Sequence, residues 1–195
     1  MKSLFLALLV AVALGRPAAA QRYSTRMATI DFFSDAPLED IKAKNTQVAA
    51  TVDLLSQQLA FVANLKEFDF PDKLMQAHFN ENFVESEKYP RATFSGRISG
   101  LPEGGLPAVG TTAVQVEGEL TLHGVKRRIK LPASLEMQDK QLVAKAQFNV
   151  APADYKIDIP SLVKEHIAKS VAVTVYAVCA PQGPTPQISS QTTRP

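Results

Sequence analysis

The sequence predicts an all-β protein, an antiparallel sheet of roughly eight strands with two short helical excursions. Three observations carry this. Apolar and polar residues alternate with period two in several runs, most cleanly from Ala113 to Leu122. There Val114, Val116, Gly118, Leu120 and Leu122 face one way and Ala113, Gln115, Glu117, Glu119 and Thr121 the other, as in a sheet with one wet face. Only two stretches, around Leu74–Phe83 and Leu162–Ile167, space bulky residues at three and four. The chain also lacks βαβ alternation and any internal repeat. Such chains close into a barrel or stack as a sandwich, and alternation alone does not choose between them.

Taken in order, Met1–Ala20 reads as a secretory signal peptide. Lys2 supplies the positive start, Leu4 to Leu14 an apolar run, and Ala18-Ala19-Ala20 the small residues before a cut near Gln21. The apolar run is too short to span a bilayer, which takes about 20 residues, and no cysteine follows the cut to carry a lipid. The expected product is exported to the periplasm or outside the cell, without a stable membrane anchor. Of 21 basic and 19 acidic residues the leader removes Lys2 and Arg16, leaving a neutral mature chain. Such a chain offers no global field to nucleic acid or to an anionic membrane. The single cysteine, Cys179, excludes a disulfide framework. It reads as a small buried residue, with an intermolecular bridge as the alternative, and a homodimer is left open.

One domain is expected over Gln21–Ala180. Ala28–Ser34 reads as a strand with Ile30 and Phe32 on one face, and Pro37–Ile41 as a short helical or turn-like link. Thr46–Asp53 and Gln57–Leu65 are two more strands, the second with Leu59, Phe61 and Ala63 together. From Phe68 the chain runs extended, turns at Pro71, and becomes helical with Leu74, Met75, His78, Phe79 and Phe83 on one stripe. Pro71 and Asp72 suit the first helical turn, and Tyr89-Pro90 ends the excursion. Ala92, Phe94, Gly96 and Ile98 alternate on the next strand, and Gly100–Gly110 is a loop. Gly118, on the apolar face of its strand, makes room for a bend, a ligand or a neighbour's backbone. His123-Gly124 turns the chain into Val125–Leu131, whose Lys126, Arg128 and Lys130 read as a solvated outer face guarding an edge. Ala144, Ala146, Phe148 and Val150 share a face of the following strand, and Ala151–Asp154 is a turn. Ser161 is placed as the N-cap of a short helix bearing Leu162, Val163, His166 and Ile167. Val171–Val178 is the last strand, and Pro181–Pro195 a disordered tail.

The stretch HFNENFVESEKYPRATFSG, His78 to Gly96, resembles the signature of the YceI-like family of exported bacterial proteins. GELTLHGV, Gly118 to Val125, is similar to that family's next strand and turn. The resemblance covers most of Ala28 to Val178. It implies a lipocalin-like antiparallel β-barrel that holds a long apolar molecule such as an isoprenoid chain. The sequence departs from many members in a shorter lead-in before Ala28 and in the alanine-rich strand at Ala144.

A search for chemistry finds little. His78, His123 and His166 have no second histidine, cysteine or paired carboxylate at metal-ligand spacing. His78 and His166 read as partly buried rings bonded to backbone, and His123 as satisfying carbonyls at its turn. Ser99 lacks the spacing of a nucleophile elbow, no glycine-rich loop opens a helix, and Glu85 with Glu87, like Glu117 with Glu119, falls on a solvated face. The positive signal is aromatic: ten phenylalanines and no tryptophan, with Phe61, Phe68, Phe70, Phe79, Phe83 and Phe94 in one third of the chain. These are either an ordinary core or the wall of a tunnel. The expected wall of an apolar cavity is Phe32, Phe61, Leu74, Met75, His78, Phe79, Phe83, Phe94 and Phe148. The reading that follows is a non-catalytic carrier of an isoprenoid-like or other long-chain lipid, with no metal or cofactor. An enzyme acting on such a lipid, or a filled barrel acting through protein partners, are the alternatives.

Overall fold

Each of the eight period-two runs is a strand in the computed structural model, which describes residues 22–183. They are β1 (Arg22–Asp35), β2 (Asp40–Asp53), β3 (Gln58–Asn64), β4 (Arg91–Ser99), β5 (Thr111–Leu122), β6 (Val125–Gln138), β7 (Gln141–Val150) and β8 (Val171–Pro181). Every neighbour in sequence is an antiparallel neighbour in space, and β8 pairs back onto β1. The sheet is therefore a closed barrel and not a sandwich. The leader read at Met1–Ala20 lies outside the described residues, as does the tail beyond residue 183. Pro181, assigned to that tail from sequence, is the last residue of β8.

Three strands are longer than alternation predicts, and bulges account for two of them. The β1–β2 register slips between Thr25 and Ala28 and again between Ala28 and Ile30. Each slip inverts parity, so Tyr23 and Ala28 both point inward while Met27 is exposed. Counting in twos from Ile30 thus loses the strand at its bulge. In β2 the supposed link at Pro37–Ile41 is not helical, and the strand already runs from Asp40. Ile41, Ala43 and Asn45 point inward there, and a second irregularity at the exposed Thr46-Gln47 hands the inner face to Val48, Ala50 and Val52. Asn45 is fully buried and satisfied: its Nδ2 donates to the Asn64 carbonyl at 2.9 Å and its Oδ1 accepts from Gln47 N–H at 2.8 Å. The third long strand, β6, passes straight through Pro132 and ends at Gln138.

The helical segments differ from expectation in detail. Asp72 is the N-cap rather than a first-turn residue of α1 (Lys73–His78), its Oδ1 accepting from Leu74 N–H at 2.8 Å. A π-turn, Phe79–Phe83, continues α1, closed by the Val84 N–H to Phe79 carbonyl bond at 2.9 Å. The second helix shrinks to one 3-10 turn, Ser161–Val163, which follows Pro160 and has no side-chain cap. The barrel's two ends are consequently unlike. One carries the tight β2–β3 and β6–β7 turns, the β4–β5 loop and both ends of the described chain. The other, the mouth, carries residues 36–39, the long excursion 65–90, the hairpin 123–124 and residues 151–170.

Candidate functional site

The barrel encloses a cavity of about 260 Å³ that opens toward the mouth. Alternation supplies the wall: Leu59 and Phe61 from β3, Phe94 and Ile98 from β4, Ala146 and Phe148 from β7 are typical pairs. Ser34, Thr93 and Lys145 are the polar residues among those bordering it. The Ser34 hydroxyl is already engaged, accepting from Ala168 N–H at 2.8 Å. Lys145 is exposed and has the outward parity of β7, its ammonium over the Tyr176 ring, 5.6 Å from its centroid. For scale, a dry apolar cavity of about 150 Å³ suffices to bind benzene. This one is larger and equally apolar.

The excursion forms its roof. Phe32 of β1 meets Phe68, Phe70 and Phe79, each at a centroid distance of 5.6 Å, and Phe70 lies 5.0 Å from Phe79. Edge-on and tilted contacts at such distances are favourable beyond their buried area. The wide π-turn carries both Phe79 and Phe83 to the cavity, a use of that geometry common at functional sites. Seven of the nine residues proposed from sequence border the cavity: Phe32, Phe61, Met75, Phe79, Phe83, Phe94 and Phe148. Leu74 and His78 do not. Leu74 is 63% exposed and His78 is also exposed, because the stripe of so short a helix rolls away from the barrel before the π-turn begins. Phe68 and Phe70, which the sequence offers as either core or wall, also border the cavity, and so does the aliphatic face of β8 that was not among the expected wall, namely Val171, Val173 and Val175. Their alternation was the available signal.

Gly118 faces Gly96 across the β4–β5 ladder. A methyl on Gly118 would lie 2.3 Å from the Ser95 carbonyl oxygen and 2.8 Å from the Phe94 ring. The missing side chain therefore admits a neighbour's backbone and lets Phe94 lie flat along the wall.

A polar latch pins the excursion to the β5–β6 hairpin. His123 and Gly124 both have positive φ, the requirement of a tight two-residue turn. The His123 ring is sandwiched between acceptors: Nε2 is 2.7 Å from a Glu85 carboxylate oxygen and Nδ1 3.1 Å from the Tyr155 carbonyl. It bonds to both at once only when it carries two N–H groups. Tyr89 packs edge-on at 4.6 Å, and a Cβ on Gly124 would strike the same tyrosine at 2.6 Å. The hydrogen bond from His123 holds the Glu85 carboxyl below the ordinary range, burial opposing and Lys88 assisting. Glu85 thus stays solvated, its side chain 41% exposed, but is engaged by a partner that its sequence position does not reveal, and His123 does satisfy a backbone carbonyl. His166 meets the Glu39 carboxylate at 3.3 Å rather than backbone. On the outer wall Arg128 pairs with Glu117 at 2.7 Å and Lys126 with Glu119 at 3.0 Å, an ordinary solvated face.

Comparison with known proteins agrees with this geometry. The model of the YceI-like domain matches residues 23–179. Among solved structures, a polyisoprenoid binding domain from Saccharophagus degradans, implicated in plant cell wall breakdown, superposes with a TM-score of 0.72 at 15% identity. The match covers 84% of this chain and 99% of that one. Burkholderia cenocepacia BcnA gives 0.65 at 17% identity, covering 78% and 96%. A Campylobacter jejuni YceI protein gives 0.56 at 14%, covering 75% and 88%. At such identities the likeness is one of fold. No curated protein matches the sequence significantly.

Proposed function

The chain belongs to the YceI-like family, and from that premise we propose that it is an exported carrier that holds the apolar chain of an isoprenoid-like or other long-chain lipid inside its barrel, without catalysis. The single observation that carries this reading is the enclosed apolar cavity roofed by the phenylalanine cluster. Burying each methylene there is worth about 0.8 kcal/mol, so several carbons bind well with no charged anchor in the wall. As it stands, the cavity takes a segment of such a chain. The remainder needs Phe79 and its helix to swing aside, which an excursion tied at its ends and free of barrel hydrogen bonds at α1 can do. The polyisoprenoid binding of the Saccharophagus degradans domain supports the choice of ligand class. The nearest reactive pair, His123 and Glu85, is bonded to itself and to Tyr155 outside the lining, which supports a passive role. Export rests on the leader read at Met1–Ala20, and N-terminal sequencing of soluble protein checks it: retention of Met1 would overturn export. Native mass spectrometry of gently purified protein is the test of function. A lipid-sized adduct that organic extraction removes is the expected result, and protein that purifies empty and takes up no added long-chain lipid overturns the reading.

A further inference from the structure

The barrel wall is incomplete along one seam. β5 and β6 pair from Leu122↔Val125 without a break, but the β6–β7 ladder begins only at Ala133↔Ala146. The residue before it is Pro132, which has no N–H to give. Toward the mouth, Val125–Pro132 therefore has no partner in β7, and Gln147–Val150 pairs with β8 alone. The two strands diverge around a recess of about 220 Å³. Leu120, Leu131, Phe148 and Val150 border both this recess and the main cavity, so the two spaces share one wall.

The seam's polar residues have a definite character. Arg127 shares the parity of Ile129 and Leu131, which face inward. In a sealed barrel that parity would bury its charge. Here the gap lets the guanidinium reach water, half exposed, where it pairs with Asp154 on the 3-10 turn Pro152–Tyr155. Arg128 also borders the recess but is held by Glu117 on the outer face. Tyr155 is 3% exposed, and burial pushes its phenol up, so it stays a neutral O–H. Asp154 is the one acid bordering the recess. An exposed pair such as Arg127–Asp154 is worth no more than about 1 kcal/mol, and a guanidinium is a fork for any carboxylate or phosphate that displaces its partner.

We propose that this recess seats the anionic head group of an amphiphile, a carboxylate or phosphate, with Arg127 as counter-ion in place of Asp154 and the attached chain passing Leu131 and Phe148 into the cavity. The proposal rests on the reading that the cavity takes an apolar chain. The test measures binding of decyl phosphate, decanol and inorganic phosphate to delipidated full-length protein by calorimetry. Decyl phosphate should bind about tenfold more tightly than decanol, the factor that one charge-assisted bond supplies, and inorganic phosphate should not compete at equal concentration. Arg127→Gln should erase the difference and keep the decanol affinity, which also reports that the variant is folded. Arg127→Lys should keep part of the preference, and Asp154→Asn, lacking the competing carboxylate, should widen it. Equal binding of decanol and decyl phosphate by the wild type, or an unchanged preference in Arg127→Gln, overturns the head-group site alone. Competition by inorganic phosphate overturns the amphiphile in favour of a free-anion site. Failure of both decyl compounds to bind overturns the cavity reading and the head-group site with it.

Discussion

At the end of the barrel where Leu142 faces Cys179 across β7 and β8, the interior is solid. Ala28, Val48, Leu142, Ala177 and Cys179 are each 0% exposed, and none borders the cavity. At the mouth the same inward parity is occupied by Phe32, Phe61, Phe94 and Phe148, with Phe79 of the π-turn beside them, each only partly buried and each on the cavity wall. Small and aliphatic residues fill this narrow end and leave no space that borders the cavity, whereas large rings under the excursion leave room between them. One pattern of alternation thus builds a plug and a pocket, and the size of the inward side chain decides which.

The difference predicts opposite responses to a buried charge, and this is the largest effect. Val48→Asp should leave the protein unfolded, since an unpaired carboxylate there has no route to water and costs several kcal/mol. Phe79→Asp should stay folded when empty, because a roof residue can turn its charge outward, yet lose bound lipid. Thermal melting of delipidated variants beside mass spectrometry reads both outcomes. A folded Val48→Asp, or lipid held at wild-type stoichiometry by Phe79→Asp, breaks the comparison.

Next comes the wall between the two ends. Gly118→Ala should cost about 1–3 kcal/mol, the usual price of overpacking, because the nearest obstacle is the Ser95 carbonyl and not a flexible side chain. Truncating Phe94 in the same protein should fail to restore stability. Urea titration of the single and double variants checks this, and full recovery in the double variant would place the clash on the ring instead.

Acid should loosen the mouth through its latch. The Glu85 value is lowered by folding, so its contribution is complete above the ordinary carboxyl value of 4.5 and is lost as pH falls through the folded value. Amide exchange at Tyr89 and Gly124 should accelerate below that pH. Glu85→Gln should abolish the acid response there but leave it unaltered at the narrow end, where hydrogen bonds from Gln138 and Thr111 hold Glu136 low in the same way. An identical acid profile in Glu85→Gln would remove the latch from this account.

The smallest effect concerns Cys179. Burial pushes its thiol from 9.0 to about 11, so folding contributes fully below pH 9 and progressively less as pH climbs toward 11. At pH 8 a thiol reagent should label the protein only as fast as it unfolds. Rapid labelling of the native state would mean that the narrow end is not sealed.

By itself the sequence determined the eight strands, the inward faces of β3, β4, β5 and β7, the Gly100–Gly110 loop, the helical excursion and the family. These follow from local rules: a strand alternates in twos wherever its ladder is regular, and glycine, proline and polar clusters punctuate it. Only the tertiary structure decided the rest. Bulges in β1 and β2 inverted parity and hid Tyr23 and Ile41 from a count in twos. The roll of α1 took Leu74 and His78 off the wall, while Phe68 and Phe70 came onto it through contacts with Phe32. Glu85 found His123 across 38 residues and His166 found Glu39 across 127. Pro132 was visible as a proline, but the seam beside it exists because β7 turns away at Gln147. Periodicity is a property of the backbone next door. Closure, parity after a bulge and the meeting of rings depend on strands that come together only when β8 finds β1.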